Sequence, residues 1–181
     1  MTLNRVALGA LAVALLLLVV GWIRRVRLHA AERGWRPPEL KYAELVYVER
    51  LFRIRTPIRL VARVDGGYRQ PDGSIVLLEL KTRATNQAYF SDVIELSAQR
   101  VAIEGQTAKR VADYGYVLVH QPGSQRRTAH RVKLLMNDEL MALAKRREVV
   151  LVSGDTADYS RAPGLCRECA FLSRCKPPYD H

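Results

Sequence analysis

The sequence predicts an α/β protein in which a mixed central sheet is flanked by helices. Three observations predict this fold. Residues 58–65 alternate between apolar and polar faces and a second, largely apolar strand follows at residues 74–81; a long helical segment and two further apolar strands come next. The 181 residues are enough for one domain with a buried core. A hydrophobic fraction of 49% excludes an intrinsically disordered chain.

The predicted elements follow the order α-β-β-α-β-β-α. Apolar residues three and four positions apart predict a helix over residues 39–53, and alternation predicts a strand over residues 58–65. Turn residues at Gly66-Gly67 and Pro71-Asp72-Gly73 then lead to an antiparallel strand over residues 74–81. The remaining predicted elements are a helix over residues 91–112, strands over residues 114–121 and 130–136, a helix over residues 137–147 and a short strand over residues 148–153.

The N-terminal segment contains an apolar run of membrane-spanning length. Residues 6–23 are uncharged, and as a helix they would rise about 27 Å. Arginines follow at positions 24, 25 and 27 without an A-x-A cleavage site. We therefore expect an uncleaved transmembrane anchor over residues 1–23, with a cleaved signal peptide as the alternative. Because most of the flanking arginines follow the run, the positive-inside rule predicts a single-pass protein of the cytoplasmic (inner) membrane, with its N-terminus outside and its domain in the cytoplasm.

The rest of the chain is strongly basic. The net charge is +11, and Arg5 is the only charged residue among the first 23, which leaves 28 Lys and Arg against 18 Asp and Glu. Such an excess predicts a polyanionic partner, either nucleic acid or the anionic surface of the membrane. Residues 24–38 end in Pro37-Pro38 and are predicted to form a basic juxtamembrane linker. Residues 39–181 are predicted to form the folded domain.

Two carboxylates and a lysine are predicted to lie together on the first two strands. Alternation in the second strand places Glu79 and Lys81 on the same face, and a hairpin of this length brings Asp65 beside Glu79. Two neighbouring carboxylates repel each other unless a cation lies between them, and oxygen ligands suit Mg²⁺ or Mn²⁺. With a lysine to orient a water, this set matches metal-assisted phosphodiester hydrolysis. The alternative is a solvated strand face.

Two further residues are candidates for the same site. Glu44 is predicted on the first helix, one turn before Tyr47, from where it could reach the edge of the sheet. Gln99 is predicted on the long helix that follows the two strands. For each of them the alternative is an ordinary solvated side chain.

All three cysteines lie within the last sixteen residues, in the pattern Cys166-x2-Cys169-x5-Cys175. An odd and clustered set excludes a disulfide framework. Thiolates at this spacing bind a soft metal centre, and cytoplasmic thiols remain reduced. The segment over residues 160–181 is therefore a candidate metal or cluster site.

The ordered combination of Asp65, Glu79-Leu80-Lys81, Gln99 and the C-terminal cysteines resembles the PD-(D/E)XK nuclease superfamily. The similarity is greatest to its RecB-like branch, which includes the CRISPR-associated iron–sulfur exonucleases. This resemblance implies a restriction-endonuclease-like core with Asp65, Glu79 and the backbone carbonyl of Leu80 as ligands of Mg²⁺ or Mn²⁺. It also implies that Lys81 serves the attacking water and that Gln99 supports the substrate or the site.

The resemblance further implies a DNA exonuclease that acts on single strands or duplex ends. Its protein partners would belong to DNA repair, recombination or CRISPR-type systems. The cysteines would bind an iron–sulfur cluster, commonly [4Fe–4S].

The chain departs from the family pattern at two points. Ile103 stands where the family often has a tyrosine, and residues 24–65 lack the fourth cysteine of the iron–sulfur members. A [4Fe–4S] cluster bound by four cysteines of one chain is therefore excluded. A different fourth ligand, a site shared between chains, or zinc bound with His181 is expected instead, and a vestigial motif is the remaining alternative. A catalytically inactive DNA-binding module, or a metal- or redox-sensing module, is the alternative function.

Overall fold

The computed structural model describes residues 36–124, 127–155, 157, 169 and 170. Within them, a short 3₁₀-helix at Pro38–Leu40 precedes five strands and two helices. The strands are β1 (Glu44–Ile54), β2 (Leu60–Arg69), β3 (Ile75–Thr82), β4 (Val111–His120) and β5 (Arg127–Lys133), and the helices are α1 (Phe90–Thr107) and α2 (Asn137–Ser153). The chain divides into two compact units after Leu140, and the sheet and α1 belong to the first.

The five strands form one mixed sheet in the order β1-β2-β3-β4-β5. Neighbouring strands are antiparallel except for β3 and β4, which run parallel. A parallel pair needs a crossover connection, and α1 provides it. The predicted α/β class with a mixed sheet is confirmed, and so is the antiparallel pairing of β2 with β3.

The core lies on both faces of the sheet, as the alternation in β3 predicts. Ile75 and Leu77 pack on the face that α1 covers, together with Leu96 and Ile103 of that helix. The opposite face of β3 belongs to a second buried cluster: Leu40, Tyr68, Val76, Leu78, Tyr116 and Leu118. Glu79 continues the α1 side of β3 and is only 4% exposed. This places a carboxylate at the end of an apolar layer.

The predicted helix over residues 39–53 is wrong, because most of this segment forms strand β1. The segment is rich in β-branched and aromatic residues, which favour strands. Tyr47 and Phe52 nevertheless lie in the same core cluster, with ring centroids 5.0 Å apart, although they are five positions apart in a strand, where odd spacings put side chains on opposite faces. Glu49 between them has a left-handed φ of 45°, which interrupts the alternation. This irregularity explains why the segment shows no clear strand period.

The predicted turn at Gly66-Gly67 is also wrong, because both glycines lie within β2. A Cβ atom at Gly67 would lie 2.8 Å from Cδ2 of Tyr47, so glycine is needed there for the close approach of that ring. The turn at Pro71-Asp72-Gly73 is confirmed. Gly73 has a φ of +81°, and its N–H donates to the carbonyl of Gln70.

Both helices end at residues with left-handed backbone. Helix α1 ends at Thr107, earlier than predicted, because Ala108 has a φ of 56° and β4 already starts at Val111. Helix α2 runs to Ser153, so the predicted last strand over residues 148–153 is wrong. Its run of valines and leucine favours a strand locally, but the helix continues to Gly154, where φ is 65°.

The predicted transmembrane anchor over residues 6–23 lies outside the described residues. Among the helices of the described part of the chain, none has both the length and the apolar character needed to cross a membrane.

Candidate active site

The candidate site begins where β2 and β3 separate. The backbone pairing of these strands runs from Arg69 and Ile75 to Gly66 and Leu78. Beyond that point, the N–H of Leu80 donates to Oδ2 of Asp65 at 2.9 Å. A side-chain carboxylate therefore takes the position of a backbone acceptor, which brings Asp65 to the end of β3 beside Glu79.

Glu79 is buried between the sheet and α1, and two side chains hydrogen bond to it. Nε2 of Gln99 donates to its Oε2 at 2.6 Å, and Nζ of Lys81 lies 2.8 Å from its Oε1. These contacts confirm that Glu79 and Lys81 share a face. They also place Gln99 directly against the carboxylate, although the sequence alone left it as a candidate surface amide.

Burial raises the pKa of Glu79 from 4.5 to about 7. The hydrogen bonds from Lys81 and Gln99 oppose this shift, whereas the negative charges of Asp65 and Glu95 add to it. A carboxylate in this environment is destabilised as an anion near neutral pH. A cation placed between Glu79 and Asp65 would offset the cost of burying the charged carboxylate and would screen the repulsion between the two carboxylates.

Lys81 bridges two carboxylates. Its Nζ lies 2.8 Å from Glu79 and 2.6 Å from Oε2 of Glu95 on α1. Partial burial disfavours the charged ammonium, but the hydrogen bonds to both glutamates outweigh it and raise the pKa of Lys81 to about 12. The lysine therefore remains protonated at neutral pH and provides a fixed positive charge beside Glu79.

Glu95 was not identified from the sequence. It lies on α1 about one turn before Gln99, and residues four positions apart share a helix face. This spacing is the signal that could have found it, once α1 was known to pack on the face of β3 that presents Glu79 and Lys81.

Gln99 also ties α1 to β2. It is 1% exposed, and its Nε2 donates to the carbonyl of Arg63 at 2.9 Å as well as to Glu79. Its Oε1 is buried and has no hydrogen-bond partner in the described part of the chain. The amide thus links the helix, the strand of Asp65 and the carboxylate of Glu79 through one donor group.

Glu44 does not join this group. It lies on β1, exposed, and pairs with Arg69 at 3.2 Å. Arg69 is four residues beyond Asp65 along β2, a distance of about 13 Å in a strand. Glu44 was expected to reach the site from a helix, and that helix is not formed.

Of the predicted cysteine site, the structure describes only Cys169, which is exposed with a free thiol. Cys166, Cys175 and His181 lie outside the described residues. Among the residues that the structure does describe, no group of three or more His, Cys, Asp or Glu side chains is arranged to hold a metal ion.

The arrangement of Asp65, Glu79, Lys81 and Gln99 combines acceptors with a fixed positive charge. The two carboxylates offer hard oxygen ligands. Mg²⁺ commonly takes one or two carboxylates from a protein, and phosphate and water complete its coordination shell. The ammonium of Lys81 can orient a water or stabilise a developing negative charge. The geometry is therefore suited to chemistry on a phosphate ester.

Comparisons with known proteins assign no family to the chain. No family model and no curated protein matches the chain. The chain is similar to a solved structure described as "Crystal structure of SSO0001", with 16% sequence identity and a TM-score of 0.48, over 90% of this chain and 71% of that one.

Proposed function

We propose that this chain is a metal-dependent DNA nuclease with a restriction-endonuclease-like core, as the resemblance to the PD-(D/E)XK superfamily implies. One observation supports the proposal above the others. Asp65 and the buried Glu79 meet where β2 and β3 separate, and Nζ of Lys81 lies 2.8 Å from Glu79. A chance set of charged strand residues would be solvated, whereas Glu79 is 4% exposed.

The residues present fit a hard divalent cation. Burial and the charge of Asp65 both raise the pKa of Glu79, and a bound cation would remove this cost. Asp65, Glu79 and the backbone carbonyl of Leu80 would hold Mg²⁺ or Mn²⁺. When bound, the ion would supply charge neutralisation at the phosphate and a more acidic water.

The chain's own residues would orient the reactants. Lys81 would hold the attacking water or the phosphate oxygen by donating from its charged Nζ, whose position Glu95 secures at 2.6 Å. Gln99 would keep the carboxylate of Glu79 directed into the site, because its Nε2 is anchored to the carbonyl of Arg63. Positioning of this kind contributes to rate through preorganisation.

DNA is the proposed substrate because the chain has a net charge of +11. We further propose that residues 6–23 tether it to the cytoplasmic membrane with the domain in the cytoplasm. A reporter fused after His181 should then be active in the cytoplasm. Processing to a shorter chain that begins after residue 23 would contradict the tether.

The cysteine segment is proposed to bind an iron–sulfur cluster, with zinc held by Cys166, Cys169, Cys175 and His181 as the alternative. Cys169, the one cysteine that the structure describes, is exposed, and either group needs accessible thiolates.

Degradation of labelled DNA by the full-length chain tests the proposed reaction. Wild type should cleave in Mn²⁺ and not in EDTA, and Asp65→Ala should abolish cleavage while DNA binding survives. Asp113→Ala is the matched control, because this exposed aspartate lies on β4, away from the pair. Equal cleavage by wild type and Asp65→Ala would show that the site is wrong. Binding without cleavage by wild type would favour the inactive DNA-binding module.

A further inference from the structure

A second group of contacts lies next to Lys81, at the start of α1. Arg83 is two residues beyond Lys81, and its Nη2 lies 2.7 Å from Oδ2 of Asp92. Lys81 makes the corresponding contact with Glu95, one turn further along the same helix. The two cations therefore reach α1 side by side from the end of β3.

Arg83 supports an aromatic ring. Its guanidinium carbon lies 4.5 Å from the ring centroid of Tyr89, and Asp92 accepts a hydrogen bond of 2.8 Å from the N–H of the same tyrosine. Asp92 is 3% exposed. A buried carboxylate thus holds both the cation and the backbone beneath the ring, so that the ring has a defined position.

The aromatic surface itself is open. Tyr89 is 38% exposed, and the neighbouring Phe90 is 61% exposed. Full burial of a phenylalanine side chain stabilises a protein by about 1.5–3 kcal/mol, and an exposed ring gives up most of this stabilisation. Such rings are typical of surfaces that stack on planar groups of a ligand.

The charge around the rings favours a nucleic-acid strand over an apolar peptide. Residues 82–91 contain no carboxylate, and Asp92 is neutralised by Arg83, so among the described residues a polyanion meets no unpaired negative charge beside the rings, in a chain whose net charge is +11. Lys81 and Arg83 contact neighbouring carboxylates of α1, and Arg83 also contacts the ring of Tyr89, so the rings lie beside the Glu79–Lys81 site. A strand bound by its phosphates at the site has its neighbouring bases within reach of these exposed rings.

We propose that Tyr89 and Phe90 form a base-stacking platform for single-stranded nucleic acid beside the Glu79–Lys81 site. This inference rests on the proposed function, since it names the form of the substrate. Bases of a paired duplex have their faces covered by their neighbours, whereas an unpaired strand offers them to protein rings. The platform accordingly selects single strands or frayed ends.

Binding without catalysis tests the platform, using the full-length chain in EDTA. The two probes are a labelled oligothymidylate of twelve nucleotides and an abasic deoxyribose-phosphate strand with the same number of phosphates. Phe90→Ala and Tyr89→Ala should each weaken oligothymidylate binding about 5- to 150-fold and change abasic-strand binding less than about twofold. Phe90→Trp and Tyr89→Phe keep a ring and should retain affinity.

Tyr42→Ala is the matched control, because Tyr42 is an exposed ring with a nearby cation, Lys41, but precedes β1 rather than α1. It should leave binding to both strands unchanged. Equal losses for both strands, no loss for either, or the same loss in Tyr42→Ala would overturn the platform. Because EDTA prevents metal-dependent cleavage, the result is separate from that of the Asp65→Ala assay, and a failure of either proposal can be recognised without the other.

Discussion

Gln99 of α1 donates from its Nε2 to Oε2 of Glu79 at the end of β3, over a distance of 2.6 Å. The same Nε2 donates to the backbone of β2 at Arg63. An amide in this position gives a buried carboxylate a hydrogen-bond donor without adding charge. It also joins the three elements that form the site.

Replacing the side-chain amide of Gln99 should lower the free energy of unfolding of the protein. Gln99→Leu keeps most of the volume but removes the donor to Glu79 and to the carbonyl of Arg63, and buried polar groups without partners cost about 1–3 kcal/mol each. Thermal or urea unfolding measures the loss. Gln106→Leu is the control, since Gln106 lies on the same helix but is exposed. A loss in Gln106→Leu as large as that in Gln99→Leu would contradict the special role of Gln99.

The raised pKa of Glu79 predicts that stability falls as pH rises, in the absence of metal. Between pH 4.5 and about 7, the folded protein keeps a proton on Glu79 that the unfolded chain has already released. Folding is then disfavoured progressively with pH, by about 3 kcal/mol in total. The dependence should be present in wild type in EDTA and absent in Glu79→Gln. A difference in unfolding free energy between wild type and Glu79→Gln that does not change with pH would contradict this prediction.

DNA binding should weaken steeply with salt. Each phosphate neutralised by a lysine or arginine releases counterions, so the logarithm of affinity should fall with the logarithm of salt concentration by about 0.7–0.9 per contact. A titration of fluorescent DNA at several salt concentrations in EDTA measures the slope. Binding that is independent of ionic strength would instead indicate the membrane surface or a protein partner as the main ligand.

The strand positions of the site could be predicted because their signal is local. Alternation in residues 74–81 determines that Glu79 and Lys81 share a face with Ile75 and Leu77, and the structure has them there. The position of Asp65 followed from the length of the hairpin. Its hydrogen bond to the N–H of Leu80 was not predictable, since it depends on where the two strands stop pairing.

Neither strand β1 nor the contacts of α1 with the sheet could be predicted from local sequence. In β1, the left-handed Glu49 interrupts the alternation, so that Tyr47 and Phe52 pack together and the segment shows no clear strand period. Glu95 and the buried state of Gln99 depend on which face of α1 meets the sheet. That choice is made by long-range packing of Leu96 and Ile103, and the helix's own sequence does not determine it.

The cysteine segment should bind a coloured cluster. Anaerobic purification should yield a brown protein, and Cys169→Ser should remove the colour by taking away one thiolate ligand. An absorbance spectrum and an iron analysis measure this. A colourless protein with one zinc ion per chain would favour the set that includes His181, and a protein with neither metal would contradict both assignments.

Lys81 should be needed for rate and not for the metal. Lys81→Ala removes the ammonium that lies between Glu79 and Glu95, while both metal-ligand candidates, Asp65 and Glu79, remain. We expect cleavage in Mn²⁺ to slow by about 10²-fold or more, the effect typical of a positioned acid–base or electrostatic group. Calorimetric titration should still detect Mn²⁺ binding. Lys109→Ala, an exposed lysine beyond the other end of α1, is the control and should cleave like wild type. If Lys81→Ala cleaves as fast as wild type, the lysine has no part in the reaction; if it no longer binds Mn²⁺, its role is to maintain the carboxylates.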